Sequence, residues 1–125
     1  MKTRPNQKET VLDKSLYQLQ LEKLRAYMSQ KKPYLDDTLT LQKLSQQTDI
    51  PKKQLSFLLN RIMGKHFFEF VNAYRIEEAT NLLSNQKLNI KQIMYAVGFN
   101  SKSSFNTAFK KHADCTPTAY RTTNL

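Results

Sequence analysis

Two stretches of this chain set out their apolar residues in nearly the same order. Leu41, Leu44, Ile50, Leu55 and Leu59 stand 3, 6, 5 and 4 positions apart; Ile90, Ile93, Phe99, Phe105 and Phe109 stand 3, 6, 6 and 4 apart. Gaps of three or four keep side chains on one face of a helix, whereas the longer middle gaps break that face. Each stretch therefore reads as a short helix, a tight turn and a second helix, with one extra residue in the second turn. That is a helix-turn-helix unit, present twice.

The rest of the chain reads as further helices around this repeat. Only two glycines and four prolines occur in 125 residues, too few turn formers for an all-β fold. Residues 1–11 are polar and are expected to be a disordered tail. A helix is predicted over Leu12–Gln30, with Leu12, Leu16, Leu19, Lys23 and Tyr27 along one face and Leu24 and Met28 beside them; Pro33 either ends it or opens the next turn. Asp36, Asp37 and Thr38 form a cap-rich junction. The first unit comprises Leu41–Gln47, a turn at Thr48–Ile50, and a helix over Lys52–Met63 with Pro51 as a tolerated first residue. Leu55, Leu58, Leu59 and Ile62 point inward there, and Gly64 is the natural stop. A long helix follows over Phe67–Leu83, with Phe67, Val71, Ile76, Ala79, Leu82 and Leu83 as its apolar side. The second unit comprises Ile90–Val97, a break at Gly98–Asn100, and Ser101–Ala113 with Ser101 as cap. Thr116 and Pro117 open a last turn through Tyr120. The organisation is a tail (1–11), an N-terminal helix or connector (12–32), a first lobe (33–64), a linker helix (65–86) and a second lobe (87–125).

Charge bears on the partner. Twenty lysines and arginines oppose ten acids, a net of +10, which favours a polyanion over a small neutral substrate. The excess is uneven: +5 over residues 1–35 (8 cations, 3 anions), +2 over 36–94 (8 and 6) and +3 over 95–125 (4 and 1). The single cysteine, Cys115, excludes an internal disulfide and a cysteine-built zinc site and fits the reducing cytosol. No apolar stretch is long enough to span a bilayer, and the basic start lacks the apolar core of a secretory signal. Attachment to an anionic membrane surface through residues 2–32 is disfavoured, because their basic residues are scattered around the helix.

The second helix of each unit divides into an apolar side and a polar, basic side. Lys52, Lys53, Ser56, Phe57 and Asn60 lie outward in the first, and Lys102, Ser103, Asn106, Thr107 and Lys110 in the second. A helix fits the major groove of B-DNA with its outward side chains at base edges, and the preceding helix sets its angle. Simpler readings accompany these. The lysines would serve equally as solvated surface; Lys110–Lys111 reads as one groove or phosphate contact beside one solvated lysine. Arg75 is either a phosphate contact or a packing and ion-pair partner of Glu78. Phe57 would either touch a thymine methyl or cover an apolar patch. A protein-interaction module with incidental charge, docking through Phe57, Phe67 and Phe68, is the competing function. An enzyme is disfavoured: His66 and His112 lack metal-ligand spacing, Asp36 and Asp37 suit a helix start, Cys115 lacks a paired base, and no glycine-rich phosphate loop occurs. No cofactor, metal or small-molecule site is evident.

The segment from Ile90 to Lys111, with Gly98-Phe99, Ser101, Ser103-Ser104-Phe105 and Phe109-Lys110-Lys111, followed by Thr116-Pro117 and Tyr120-Arg121, resembles the DNA-binding domain of the AraC/XylS family of bacterial transcription regulators. Leu41 to Leu44, Leu55-Ser56, Gly64, Phe67 and the run Tyr74–Leu83 extend the likeness over residues 36–121. The resemblance implies an all-α, seven-helix double helix-turn-helix fold of two lobes joined by a long linker helix, here with an extra N-terminal helical extension. It implies binding of double-stranded promoter DNA and contact with RNA polymerase. Base contacts would fall on Lys53, Ser56 and Phe57 and on Lys102, Ser103, Asn106 and Thr107; Arg75 falls on the family's linker arginine. The lead-in Lys31–Asp37 resembles Bacteroidetes-type members, in which this domain often ends a longer protein with a sensor or receiver domain. Without such a part, the chain resembles the small standalone members. Phe57 and Thr107 stand where many members have arginine, which weakens an expectation of guanine reading. Ser45 and Met94 replace a small alanine, and Asp49 and Asp114 replace frequent glycines, departures that read as tuning of one fold.

Overall fold

The structure is a computed structural model that describes residues 7–123, with side chains from residue 14 onward. Seven α-helices follow one another: α1 Gln7–Lys31, α2 Leu41–Thr48, α3 Lys52–Phe57, α4 Phe67–Leu82, α5 Ile90–Ala96, α6 Lys102–Ala113 and α7 Pro117–Thr123. A 3₁₀ turn, Pro33–Leu35, joins α1 to α2. There is no strand among the described residues.

Both turns of the repeat close in the same way. Asp49 ends α2 in the left-handed region (φ 58°), and the Ile50 amide returns to the Ser45 carbonyl at 3.2 Å. Gly98 takes the equivalent place (φ 101°), and the Phe99 amide returns to the Met94 carbonyl at 3.1 Å. Ser45, the departure from small alanine, donates its hydroxyl to the Ile50 carbonyl at 2.6 Å and so ties the first turn to its own helix. Asp114 is also left-handed (φ 61°) at the end of α6, a conformation aspartate tolerates better than most residues.

Caps start the helices. Thr40 accepts the Lys43 amide before α2, Asn89 and Gln92 form a reciprocal capping box on α5, and Ser101 accepts the Ser104 amide before α6. The cap of α2 is thus Thr40 and not the Asp36–Thr38 cluster. Asp36 instead accepts the Thr38 amide and hydroxyl, which holds its carboxyl below the usual range.

Three sequence expectations change. First, α1 begins at Gln7, because nothing from Gln7 to Lys32 breaks a helix; residues 7–11 belong to it, and the expected tail over 1–6 lies outside the described residues. Second, its packing side carries Tyr17, Leu21, Leu24, Tyr27 and Met28, with Leu24 and Met28 fully buried. Leu16 and Leu19 are 45% and 64% exposed and face away from the core; the Leu12 side chain, the third member of the expected stripe, lies outside the described residues. Third, the helix over Lys52–Met63 widens after Phe57 into a π-turn, Leu58–Ile62, with the Met63 amide bonded to the Leu58 carbonyl. The extra residue in that turn rotates the end of the helix, and Ile62, expected inward, is 46% exposed.

Two separate apolar cores result. One gathers Leu24, Met28, Tyr34, Leu39, Leu44, Ile50, Leu55, Leu58 and Leu59 with Phe70 and Val71 of α4. The other gathers Ile93, Met94, Val97, Phe99, Phe105, Ala108 and Phe109 with Ile76, Ala79 and Leu83. The long helix is thus a wall of both lobes, and its allegiance changes between Val71 and Ile76.

Candidate nucleic-acid interface

In the second unit, α6 buries Phe105, Ala108 and Phe109 and exposes Lys102, Ser103, Asn106, Thr107 and Lys110. The rings of Phe99, Phe105, Phe109 and Tyr120 form a chain of edge-on contacts with centroids 5.3, 5.8 and 5.7 Å apart, and this chain fixes the helix from beneath. On one flank, Lys102, Asn106 and Lys110 border an open groove of about 800 Å³ shared with Lys91, Tyr95 and Asn100. On the other flank, Ser103 and Thr107 border a cleft against α4, lined also by His66, Glu69, Asn72 and His112. Neither α6 nor the stretch from Lys52 to Ile62 carries a carboxylate, so both outward faces suit a polyanion.

Lys91 and Tyr95 were not singled out by the sequence reading. Both project from α5 beside the recognition helix, where the first helix of such a unit crosses a DNA backbone. The available signal was the position of Lys91, two residues past the Asn89 cap and outside the apolar series.

The first unit offers less. Lys52, Lys53 and Asn60 are exposed, Ser56 is half-buried, and the Asn60 amide donates to the Ser56 hydroxyl at 3.1 Å. Phe57 is 38% exposed, with its ring 4.9 Å from Tyr17 of α1. One turn earlier, Gln20 of α1 donates to Gln54 of α3. The N-terminal helix thus lies along the edge of the first recognition helix, and Phe57 covers an apolar patch that α1 supplies.

Arg75 does not join the surface set. It is 4% exposed; its Nε donates to the Tyr34 carbonyl at 2.6 Å, and its Nη2 to the Asp36 carbonyl at 3.0 Å. It lies 5.5 Å from the centroid of the Phe99 ring. Of the two readings its sequence left open, phosphate contact or packing and ion-pair partner, its burial favours packing: Nε and Nη2 are committed to backbone carbonyls inside the protein. Its expected ion-pair partner, Glu78, bonds instead to Lys32 at 3.2 Å and to the Tyr34 hydroxyl at 3.1 Å. Burial and the neighbouring Glu78 carboxylate raise the Tyr34 pKa. Lys111, expected to be solvated, is ion-paired with Glu69 across the cleft. His66 and His112 face the same cleft, but no group of three or more His, Cys, Asp and Glu among the described residues is placed to hold a metal. No helix among them is long and apolar enough to cross a membrane.

The Thr116–Arg121 motif has a structural role. Thr116 caps α7, and Arg121 donates to the carbonyls of Leu83, Asn85 and Leu88 at 3.0, 3.3 and 2.7 Å, closing the turn after α4.

This geometry agrees with the comparisons to known proteins. The sequence pattern of a family described as a helix-turn-helix domain matches residues 44–123. The chain belongs to this family, the AraC-type double helix-turn-helix domains of DNA-binding transcription regulators. It is 28% identical over 88 residues to the HTH-type transcriptional regulator AlkR of Acinetobacter baylyi, a match covering 70% of this chain and 29% of AlkR. The C-terminal domain of AraT, a response regulator from Geobacillus stearothermophilus, superposes with a TM-score of 0.70 at 29% identity, over 83% of this chain and 84% of that one. An AraC-type regulator from Chromobacterium violaceum shares the fold, with a TM-score of 0.71 at 22% identity, over 86% and 94% of the two chains. The chain spans less than a third of the length of AlkR.

Proposed function

We propose that this chain reads double-stranded promoter DNA by placing α3 and α6 in successive major-groove segments on one face of the duplex. The carrying observation is the face of α6, which exposes Lys102, Ser103, Asn106, Thr107 and Lys110 while its other side is locked into an aromatic core. Lys52, Lys53, Ser56 and Asn60 form the weaker counterpart on the first unit, with Phe57 at its edge. The two helices differ in sequence, so the site is asymmetric, with its halves about one helical turn (~34 Å) apart. Lys91 and Tyr95 are assigned to the backbone beside the second half-site.

RNA polymerase is the proposed protein partner and the cytoplasm the proposed compartment, both following from a role at promoters. A sensor or receiver domain belongs with this chain in the reading we favour; the likeness to the C-terminal domain of a response regulator supports it. The Bacteroidetes-type assignment of the Lys31–Asp37 lead-in stays part of this proposal.

Selection from a randomised duplex pool at ~150 mM salt tests the reading. The expected result is an asymmetric motif with two clusters about 10 base pairs apart, bound ~10³-fold or more above scrambled DNA. No enriched motif, with binding that vanishes as salt rises, would overturn it.

A further inference from the structure

The place where α4 changes allegiance holds a buried cation and a glycine with no room for a side chain. The Arg75 guanidinium bonds to the carbonyls of Tyr34 and Asp36, in and at the end of the 3₁₀ turn between α1 and α2, and reaches Asn72 Oδ1 at 3.4 Å on its own helix. Its other face lies over Phe99 of the second lobe. A Cβ added to Gly98 would stand 2.3 Å from the Tyr34 carbonyl oxygen and 2.8 Å from Arg75 Nε. The turn of the second unit is therefore pressed against backbone of the first lobe, with Arg75 filling the seam. The two apolar cores do not merge there, so alignment of the lobes depends on this knot, on α4 itself and on the Glu69–Lys111 pair.

We infer that Arg75 is a positioning residue: with Gly98 and the Tyr34 and Asp36 carbonyls it fixes the relative set of the two recognition helices, and so the spacing of the two DNA segments the chain accepts, without touching DNA. Arginine suits the task for a physical reason. Its planar fork satisfies two carbonyls at fixed angles while its face rests on a ring, whereas the point charge of lysine serves one direction at a time. Burial lowers the Arg75 pKa, countered only in part by the neighbouring Asp37 and Asp36, and the guanidinium stays charged.

This inference rests on the two-segment DNA reading, and the test separates the two. In a Cys115→Ser background, spin labels on Gln46→Cys and Ala119→Cys report the distance between lobes in the free protein. Arg75→Met is expected to broaden that distribution. On DNA it is expected to weaken the selected duplex by about tenfold or more and to flatten the preference for one spacer over spacers a base pair longer or shorter. The slope of log affinity against log salt stays at its wild-type value. A slope lowered by about one charge, about 0.9 in the plot, would mark a phosphate contact and overturn the inference. An unchanged distance distribution and spacer preference would overturn it as well. If Arg75→Met does not fold, Arg75→Lys is read in its place, with the same outcomes expected in milder form. If the wild-type chain selects no motif, the DNA reading fails while the distance measurement still decides the role of the knot.

Discussion

The two turns of the repeat differ in what passes beside them. At Asp49 the chain enters the left-handed region on an exposed surface, where a side chain has room. At Gly98 the same manoeuvre happens against the carbonyl of Tyr34 and the guanidinium of Arg75, and the backbone opens to φ 101°. The first turn serves only its own unit. The second serves its unit and the junction between lobes. A position can thus be equivalent in local fold and unequal in what it tolerates.

The recognition helices differ in the same sense. The first is flanked by α1, which holds Gln54 and Phe57, and it loosens into a π-turn. The second is a regular 12-residue helix with an open outward face. The second lobe should therefore carry more of the DNA affinity, and the first should adjust it.

Substitutions at the two turns give the widest contrast. Gly98→Ala combines a left-handed residue with a backbone clash and is expected to cost about 3 kcal/mol or more in urea unfolding, whereas Asp49→Gly should shift stability by less than about 1 kcal/mol. Equal effects at the two positions would remove the distinction drawn above. Next in size is the charge on the two outward faces. Lys102→Gln with Lys110→Gln should lower the salt slope of DNA binding by about 0.9 for each phosphate left without its cation, and by more than Lys52→Gln with Lys53→Gln does; the reverse order would make the first lobe the anchor. A double-mutant cycle on Tyr17→Ala and Phe57→Ala should show a coupling of about 0.5–1.5 kcal/mol in stability. No coupling would free Phe57 for a base contact.

The smallest effect expected is on pH. Partial burial, together with Lys111 and Lys65, depresses the His112 pKa, so the folded protein binds that proton less readily than the unfolded chain does. Stability is then complete above the ordinary histidine value, about 6.5, and falls as pH drops through it toward the depressed folded value. Thermal unfolding of His112→Asn should show that loss diminished.

Both helix-turn-helix units were legible because their apolar series register the core directly: Leu44, Ile50, Leu55 and Leu59 are buried, and so are Ile93, Phe99, Phe105 and Phe109. The outward residues followed by subtraction. What failed to show has physical reasons. In α1 two apolar stripes compete, and only packing against α2, the Pro33–Leu35 turn and the rest of the first core selects the one containing Leu24 and Met28. The π-turn has no signature in residue type, since Leu58–Ile62 suits an ordinary helix. The fate of Arg75 depended on carbonyls 41 and 39 positions earlier in the chain, and backbone oxygens leave no trace in a sequence of side chains.

The shared helix has a consequence for how the molecule comes apart. Removing either lobe together with α4 would strip one wall from the remaining core, and removing it without α4 would leave Phe70 and Val71, or Ile76, Ala79 and Leu83, facing water. Unfolding should therefore proceed as one cooperative event, and neither half, expressed alone, should make a stable protein. The chain repeats a shape, but it has a single point of failure.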